Sequence, residues 1–487
     1  MKLRMHHIEL CVADPNPVAE LLHTQLGLRF VGYRESAQCL QLIFKMEKAT
    51  FIVTTRKNLQ CQRNDNNNYP DIVFGSGSPT KSDSSNLLEL TRDVRESWTL
   101  FCCDDQDFSS QERKAQHVDS VFNVAIEVVN VEDCVNSIRN ISKDLVLKDV
   151  TRRFDSDPEL GYVDYAVIKS CCGNVVHTLV QKSHYRGWFL PGFYAVNQEE
   201  KPASDVKNSG IITMSHFDHF TFACRVGESD EIMDWYERAF GMKRFITNRQ
   251  DSELEGLVIG DDVGLRLKVM QFWKCSESGL ISTSSHDDDD DVDDASNNIY
   301  SDWESEPLKI VIAESLPNLT NTQIEGFIKD HGGPGIQHVG LHTSNMLETV
   351  EVMTNNGVKF RHPPPTYYTE IGQLDVIKSV GENVAVLREY GILLDNEADV
   401  FDSLENSTEN DDNDECYLMQ IFTYPVFNRD TFFLEVIQRK GARGFGVGNV
   451  TALARSVNAF NQAKLLEMEK MMNVSSANTE KNEDESC

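Results

Sequence analysis

Three polar residues occupy strand positions where an apolar side chain is expected. His219 lies in FDHFTFA, His338 in IQHVGLH, and Glu435 in FFLEVIQR among Phe, Leu, Val and Ile. A carboxylate in such a run is costly unless it is paired or bound to a cation. Taken singly, each reads as a structural histidine or a solvent-facing edge residue. Together they make two imidazoles and one carboxylate. That is the facial set for non-haem Fe(II), which leaves positions open for substrate and O2. Zinc is the competing metal, since two His and a Glu also build hydrolytic sites.

The elements that must position these residues are written twice. Residues 5–35 and 217–249 each run from a short apolar strand through a loop to an amphipathic helix, then turn at Gly into another strand. The apolar period switches from 2 to 3.6 and back. VFNVAIEVVNVEDCVNSIRN (121–140) matches IQHVGLHTSNMLETVEVMTNNG (336–357), and VVHTLVQK (175–182) matches FFLEVIQR (432–439). The chain therefore reads as four strand–helix–strands modules paired into two halves, residues 1–190 and 212–462. A Gly/Pro-rich and polar linker, 191–211, joins them. Aligned on the repeat, the first half offers His7, Asn123 and Thr178 where the second has His219, His338 and Glu435. One ligand of three survives, so the spacing predicts one working site, in the second half.

Composition sets the remaining bounds. The 487 residues carry 46 Lys+Arg against 77 Asp+Glu, a net charge of −31, which argues against nucleic acid or an anionic membrane surface as partner. Residues 281–306 and 391–415 each hold ten Asp/Glu and no Lys/Arg, so two stretches supply 20 of the 31 excess charges. Segments 57–118, 276–306, 395–415 and the tail 463–487 lack the apolar content to offset their ordering entropy and read as solvated inserts. The 12 cysteines include the adjacent pairs Cys102–Cys103 and Cys171–Cys172 and no C-x-x-C, so reduced thiols are expected. No apolar run approaches the ~18 residues of a transmembrane segment.

The chain resembles the 4-hydroxyphenylpyruvate dioxygenase family of the vicinal-oxygen-chelate superfamily, closest to its dioxygenase-like branch. The resemblance is carried by YRGWFLPGF (185–193), FDHFTFAC, AESLPNLTNTQIEGFI (313–327 and the residue following), GGPGIQHVGL, PPTYY, YLMQIFTYP and TFFLEVIQRKGARGFGVGN (431–449). It implies an α+β fold of four βαβββ vicinal-oxygen-chelate modules, paired into two open-barrel halves with a C-terminal helix. It also implies iron, as Fe2+, on His219, His338 and Glu435, the metal centre itself being the catalytic group. The substrates would be O2 and a small-molecule 2-oxo acid whose carboxylate and keto oxygens chelate the iron. The acid then decarboxylates and the rest of the same molecule is oxidised.

Family pocket positions fall on Gln323, Gln337, Gln420, Phe422, Phe433, Gly446, Asn449 and Val450. Strict alternation would turn Gln337 to the face opposite its neighbour His338. The pocket is altered at Ala313, Leu267, Val450 and Ala454, where the dioxygenases place Asn, Ser, Phe and Phe. The mandelate-forming branch is similarly altered at the Asn and Phe positions, so the resemblance leans toward 4-hydroxymandelate from 4-hydroxyphenylpyruvate. Homogentisate is the alternative product. An extradiol or glyoxalase-type enzyme, or a metal-stabilised binding protein, are the rival classes. The resemblance associates the chain with quinone head-group synthesis and the mitochondrion, the cytoplasm being the alternative because no persuasive presequence opens the chain. A homodimer is compatible with it.

Overall fold

The computed structural model describes residues 3–36, 39–56, 118–196, 212–247, 251–260, 263–272, 307–317, 319, 322–397, 416–460 and 462. The tail, the second insert, and nearly all of the first and third lie outside these. The fold is α+β, with two nine-stranded curled sheets. In the first, the strand order is Val146–Phe154, Tyr162–Lys169, Val176–Gln181, Ser120–Val128, Leu3–Val12, Ala49–Arg56, Cys39–Met46, Arg29–Glu35 and Tyr194–Ala195. In the second, Lys243–Phe245, Leu265–Gln271, Lys309–Ser315, Met214–Cys224, Gly335–Thr343, Phe433–Lys440, Tyr417–Phe422 and Leu393–Asn396 follow one another, and Leu257–Ile259 pairs with Leu265–Gln271.

The same pairing logic recurs in both sheets. The first strand of each half, Leu3–Val12 or Met214–Cys224, pairs parallel with the last strand of its own module. It pairs antiparallel with the first strand of the next module. This central antiparallel pair fixes the register on which the site depends.

The helices bury one face each, as their 3.6-residue period requires. Val131–Ile141 buries Val131, Cys134, Val135 and Ile138, and Met346–Asn355 buries Met346, Val350 and Met353. Both start at an Asn, Asn130 or Asn345, whose side chain accepts from the backbone N–H three residues on. Such a cap contributes about 1 kcal/mol. Module four carries two further helices, Leu374–Ser379 and Val384–Tyr390, between its long helix and its last three strands. The sheets meet through apolar and polar contacts alike. Phe51 meets Phe217 edge-on at 5.1 Å, and His177 Nε2 lies 2.6 Å from the Tyr236 hydroxyl.

Two polar stretches at the edges of the halves hold buried residues. Phe189, Leu190 and Phe193, around the start of the linker, are buried in a cluster with Val163, Tyr165 and Val176 inside the first half. Asp395 and Glu397, at the edge of the third insert, are buried at 7% and 4% exposure. Their burial is compensated by the glycine-rich segment opposite. Glu397 accepts from the Arg443 and Gly444 backbone amides at 3.0 and 2.8 Å, and Asp395 from Gly448 at 2.7 Å.

Candidate metal centre

His219, Gly340 and Glu435 lie in one row across three neighbouring strands, with His219 opposite Gly340 and Gly340 opposite Glu435. His338 stands two residues before Gly340 on the same face. The missing side chain at Gly340 is what lets the row close, because a Cβ there would sit 2.5 Å from His219 Cε1. His219 Nε2 is 3.2 Å and His338 Nε2 3.5 Å from Glu435 Oε2. One ligand atom from each of the three lies within 4.8 Å of the others.

Each ligand has its own support. His219 Nδ1 is 2.8 Å from Asp218 Oδ1. His338 Nδ1 lies 3.1 Å from Gln337 Oε1, and its ring stacks on Phe433 at 4.9 Å. Gln420 donates to Glu435 Oε1 at 3.3 Å and accepts from Asn449 at 3.0 Å, while the Tyr367 hydroxyl donates to Asn449 Oδ1 at 2.6 Å. Gly446 adopts φ +67°, and any Cβ there would overlap Gln420 Oε1. It is glycine for both reasons.

Charge within the cluster is mutually stabilising. Burial alone would raise the Glu435 pKa, but His219, first by its charge and then by its hydrogen bond, and His338 hold it down to about 2. Burial likewise opposes protonation of His219, yet Glu435 and Asp218 lift it above the ordinary value. A carboxylate kept ionised beside two imidazoles is the donor set that a divalent cation takes, the cation replacing the shared proton. The residues fit a metal.

The other expected positions divide. Phe422 is half-buried near Phe433, with ring centroids 6.0 Å apart. Ala313 and Leu267 pack with Ala223, Ile324 and Phe327. Val450 joins Leu257, Ile259, Val447 and Leu267 in an adjoining apolar cluster. Ala454 is half-buried one turn further along the helix over 447–460. Gln337 is placed as the partner of His338 rather than pointing away from it. Gln323, the first residue of Gln323–His331, is exposed. The residues that sequence reasoning missed are Asp218, Arg439, Thr221 and Tyr367. Thr221 Oγ1 lies 2.9 Å from His338 Nε2. Only the YY pair of PPTYY, among the motifs of the resemblance, pointed to Tyr367.

Residues 216–374 match the profile of the Glyoxalase/Bleomycin resistance protein/Dioxygenase superfamily. The 4-hydroxyphenylpyruvate dioxygenase-like proteins of Rattus norvegicus and Mus musculus are 35% and 36% identical over 303 residues, covering 61% of this chain and 67% of theirs. A mutant 4-hydroxymandelate synthase from Streptomyces coelicolor shares the fold at TM-score 0.58 and 19% identity, over 94% of this chain and 99% of that one. Fold, site and relatives define the class, a non-haem iron dioxygenase on the vicinal-oxygen-chelate scaffold. The chain belongs to the 4-hydroxyphenylpyruvate dioxygenase-like family.

Proposed function

We propose that the chain catalyses oxidative decarboxylation of 4-hydroxyphenylpyruvate by O2, with Fe(II) held by His219, His338 and Glu435, and that the product is 4-hydroxymandelate. The observations that carry this reading are the ligand triad, with His219 and Glu435 buried and His338 half-buried, and the apolar character of Leu267, Ala313 and Val450 in the same half. When bound, the iron supplies a Lewis-acidic anchor for the carboxylate and keto oxygens of the substrate and the redox chemistry for O2.

The chain's own residues bind, orient and exclude water. Gln420, pinned by Asn449 and Tyr367, engages Glu435 Oε1 and leaves Oε2 to the imidazoles. Phe433 lies flat against His338 and, with Phe422, forms an aromatic wall for the substrate ring. The product follows from which carbon of the substrate lies nearest the iron, a matter of about an ångström. A phenylalanine at position 450 would press the ring toward the metal. Val450 leaves that wall short, which favours attack on the benzylic carbon over the ring. Both outcomes balance identically, one O2 taken up and one CO2 released.

Chromatography of the product from iron-loaded enzyme and 4-hydroxyphenylpyruvate tests the reading. Mandelate from the native chain, shifting toward homogentisate in Val450→Phe, is expected. Homogentisate as the sole native product would defeat it. Residence in the mitochondrion and supply of a quinone head group belong to the same proposal and rest on the resemblance. Fractionation of cells expressing the full-length chain tests the first of these.

A further inference from the structure

We propose that Asp218, clamped by Arg439, is the positioning residue for His219, and that this pair ties the metal ligand to the glycine-rich cap at 441–449. The inference rests on His219 being a ligand. Consecutive residues of a strand normally face opposite sides. Here the register slips between Phe217 and His219 in the pairing with Gly335–Thr343, and this irregularity brings the Asp218 carboxylate to the His219 ring. Asp218 Oδ1 stands 2.8 Å from His219 Nδ1. An ionised carboxylate can only accept, so a ring proton is held at Nδ1, and Nε2 is the nitrogen turned toward Glu435, free to bind a cation once its own proton is displaced.

Asp218 is itself held. Its exposure is 3%, and Arg439 donates to both oxygens, Nε to Oδ2 at 2.7 Å and Nη2 to Oδ1 at 2.8 Å, with Lys309 Nζ 3.4 Å from Oδ2. A two-point guanidinium–carboxylate pair sets orientation as well as charge. Arg439 reaches the cap as well. It donates to the Gly444 carbonyl and lies 5.1 Å over the Phe445 ring. Phe445 in turn meets the His219 ring edge-on, at 5.1 Å and 89°. One arginine thus bridges the cap and the carboxylate that orients the ligand.

The first half separates what the fold needs from what the ligand needs. The same register slip recurs there between Met5 and His7. Yet His6 stands in Asp218's place, with its Nδ1 2.7 Å from His7 Nδ1, and Lys182 stands in Arg439's. A neutral imidazole can give or take that proton, so it fixes no tautomer. The irregularity is common to both halves. The carboxylate and the guanidinium belong only to the half with the ligand triad.

Cobalt(II) titration of the full chain, followed by visible absorption and paired with melting temperatures, tests this. Asp218→Asn keeps the shape and loses the charge. It should bind Co(II) ~10–100-fold more weakly, with an altered ligand-field band. Arg439→Lys keeps charge without the fork, and its affinity should fall between that of Asp218→Asn and that of the native chain. It also serves as the deciding variant if Asp218→Asn does not fold. Native affinity and spectrum in folded variants would overturn the inference. Native protein whose Co(II) binding is absent, or indifferent to Glu435→Gln, would overturn the ligand assignment and this inference with it.

Discussion

The two halves share a scaffold and invert its polarity. Across the concave face of the second half, one row of directly paired residues reads Leu257, Leu267, Ala313, Ala223. The equivalent row in the first half reads Arg34, Gln41, Thr54, Cys11. Glu9 stands where the second half has Thr221, each opposite the second-strand residue Asn123 or His338. Glu9 accepts from Gln41 at 2.7 Å, Thr54 at 2.5 Å and Asn123 at 3.0 Å, and Asn123 reaches Thr178 at 3.0 Å. With Leu190 and Phe193 above, the remaining void is about 10 Å³, room for no more than one water. In the first half Gln41, Thr54 and Asn123 turn their donors onto Glu9, and the core around them is nearly closed. The polar groups of the second half converge on one point and leave the rest of the wall apolar. Function here follows from where hydrogen-bonding capacity is left open, not from how much of it there is.

The comparison breaks most severely at the triad. Glu435→Gln should abolish specific divalent-metal binding and turnover while the far-ultraviolet circular dichroism stays native, because a neutral amide cannot balance the cation. Smaller in effect is Gly340→Ala, which gives the second half the residue found at the equivalent first-half position, Ala125. The new methyl meets His219 at 2.5 Å, and displacing that ring should cost turnover on the order of 100-fold. Steady-state kinetics with metal titration would report both.

The first half supplies the milder tests. Burial lifts the Glu9 pKa to about 7, against hydrogen bonds from Thr54, Asn123 and Gln41. A carboxyl group whose pKa is raised by folding favours the protonated native state. Its contribution to stability is therefore full below the ordinary 4.5 and lost as pH rises through about 7. Glu9→Gln should remove that slope, so its melting temperature relative to the native chain should improve between pH 5 and 8. A constant difference across that range would contradict the assignment. The smallest effect is expected of His7→Asn, which should leave metal stoichiometry and rate nearly unchanged.

Much of this was legible in the sequence because its signals are periodic. The repeat exposed four modules, and ligand-type residues inside apolar strands stood out against the alternation. Asp218 did not stand out, since simple alternation turns it away from His219 and only a register slip brings it back. Arg439, 221 residues distant, becomes its partner only through the parallel and antiparallel pairings between their strands. Asp395 and Glu397 were hidden by the acidic run that follows them, because composition cannot reveal that two carboxylates accept amides from a loop near residue 445. Gln323, a motif position of the resemblance, lies exposed at a helix start.

The triad of the second half and the self-paired core of the first imply a single working centre per chain. Metal content per chain, measured on the native protein, His7→Asn and Glu435→Gln after identical Fe(II) loading, tests it most directly. One iron is expected in the native chain, one in His7→Asn and none in Glu435→Gln. Two irons in the native chain, or one that is lost with His7 and kept without Glu435, would contradict it.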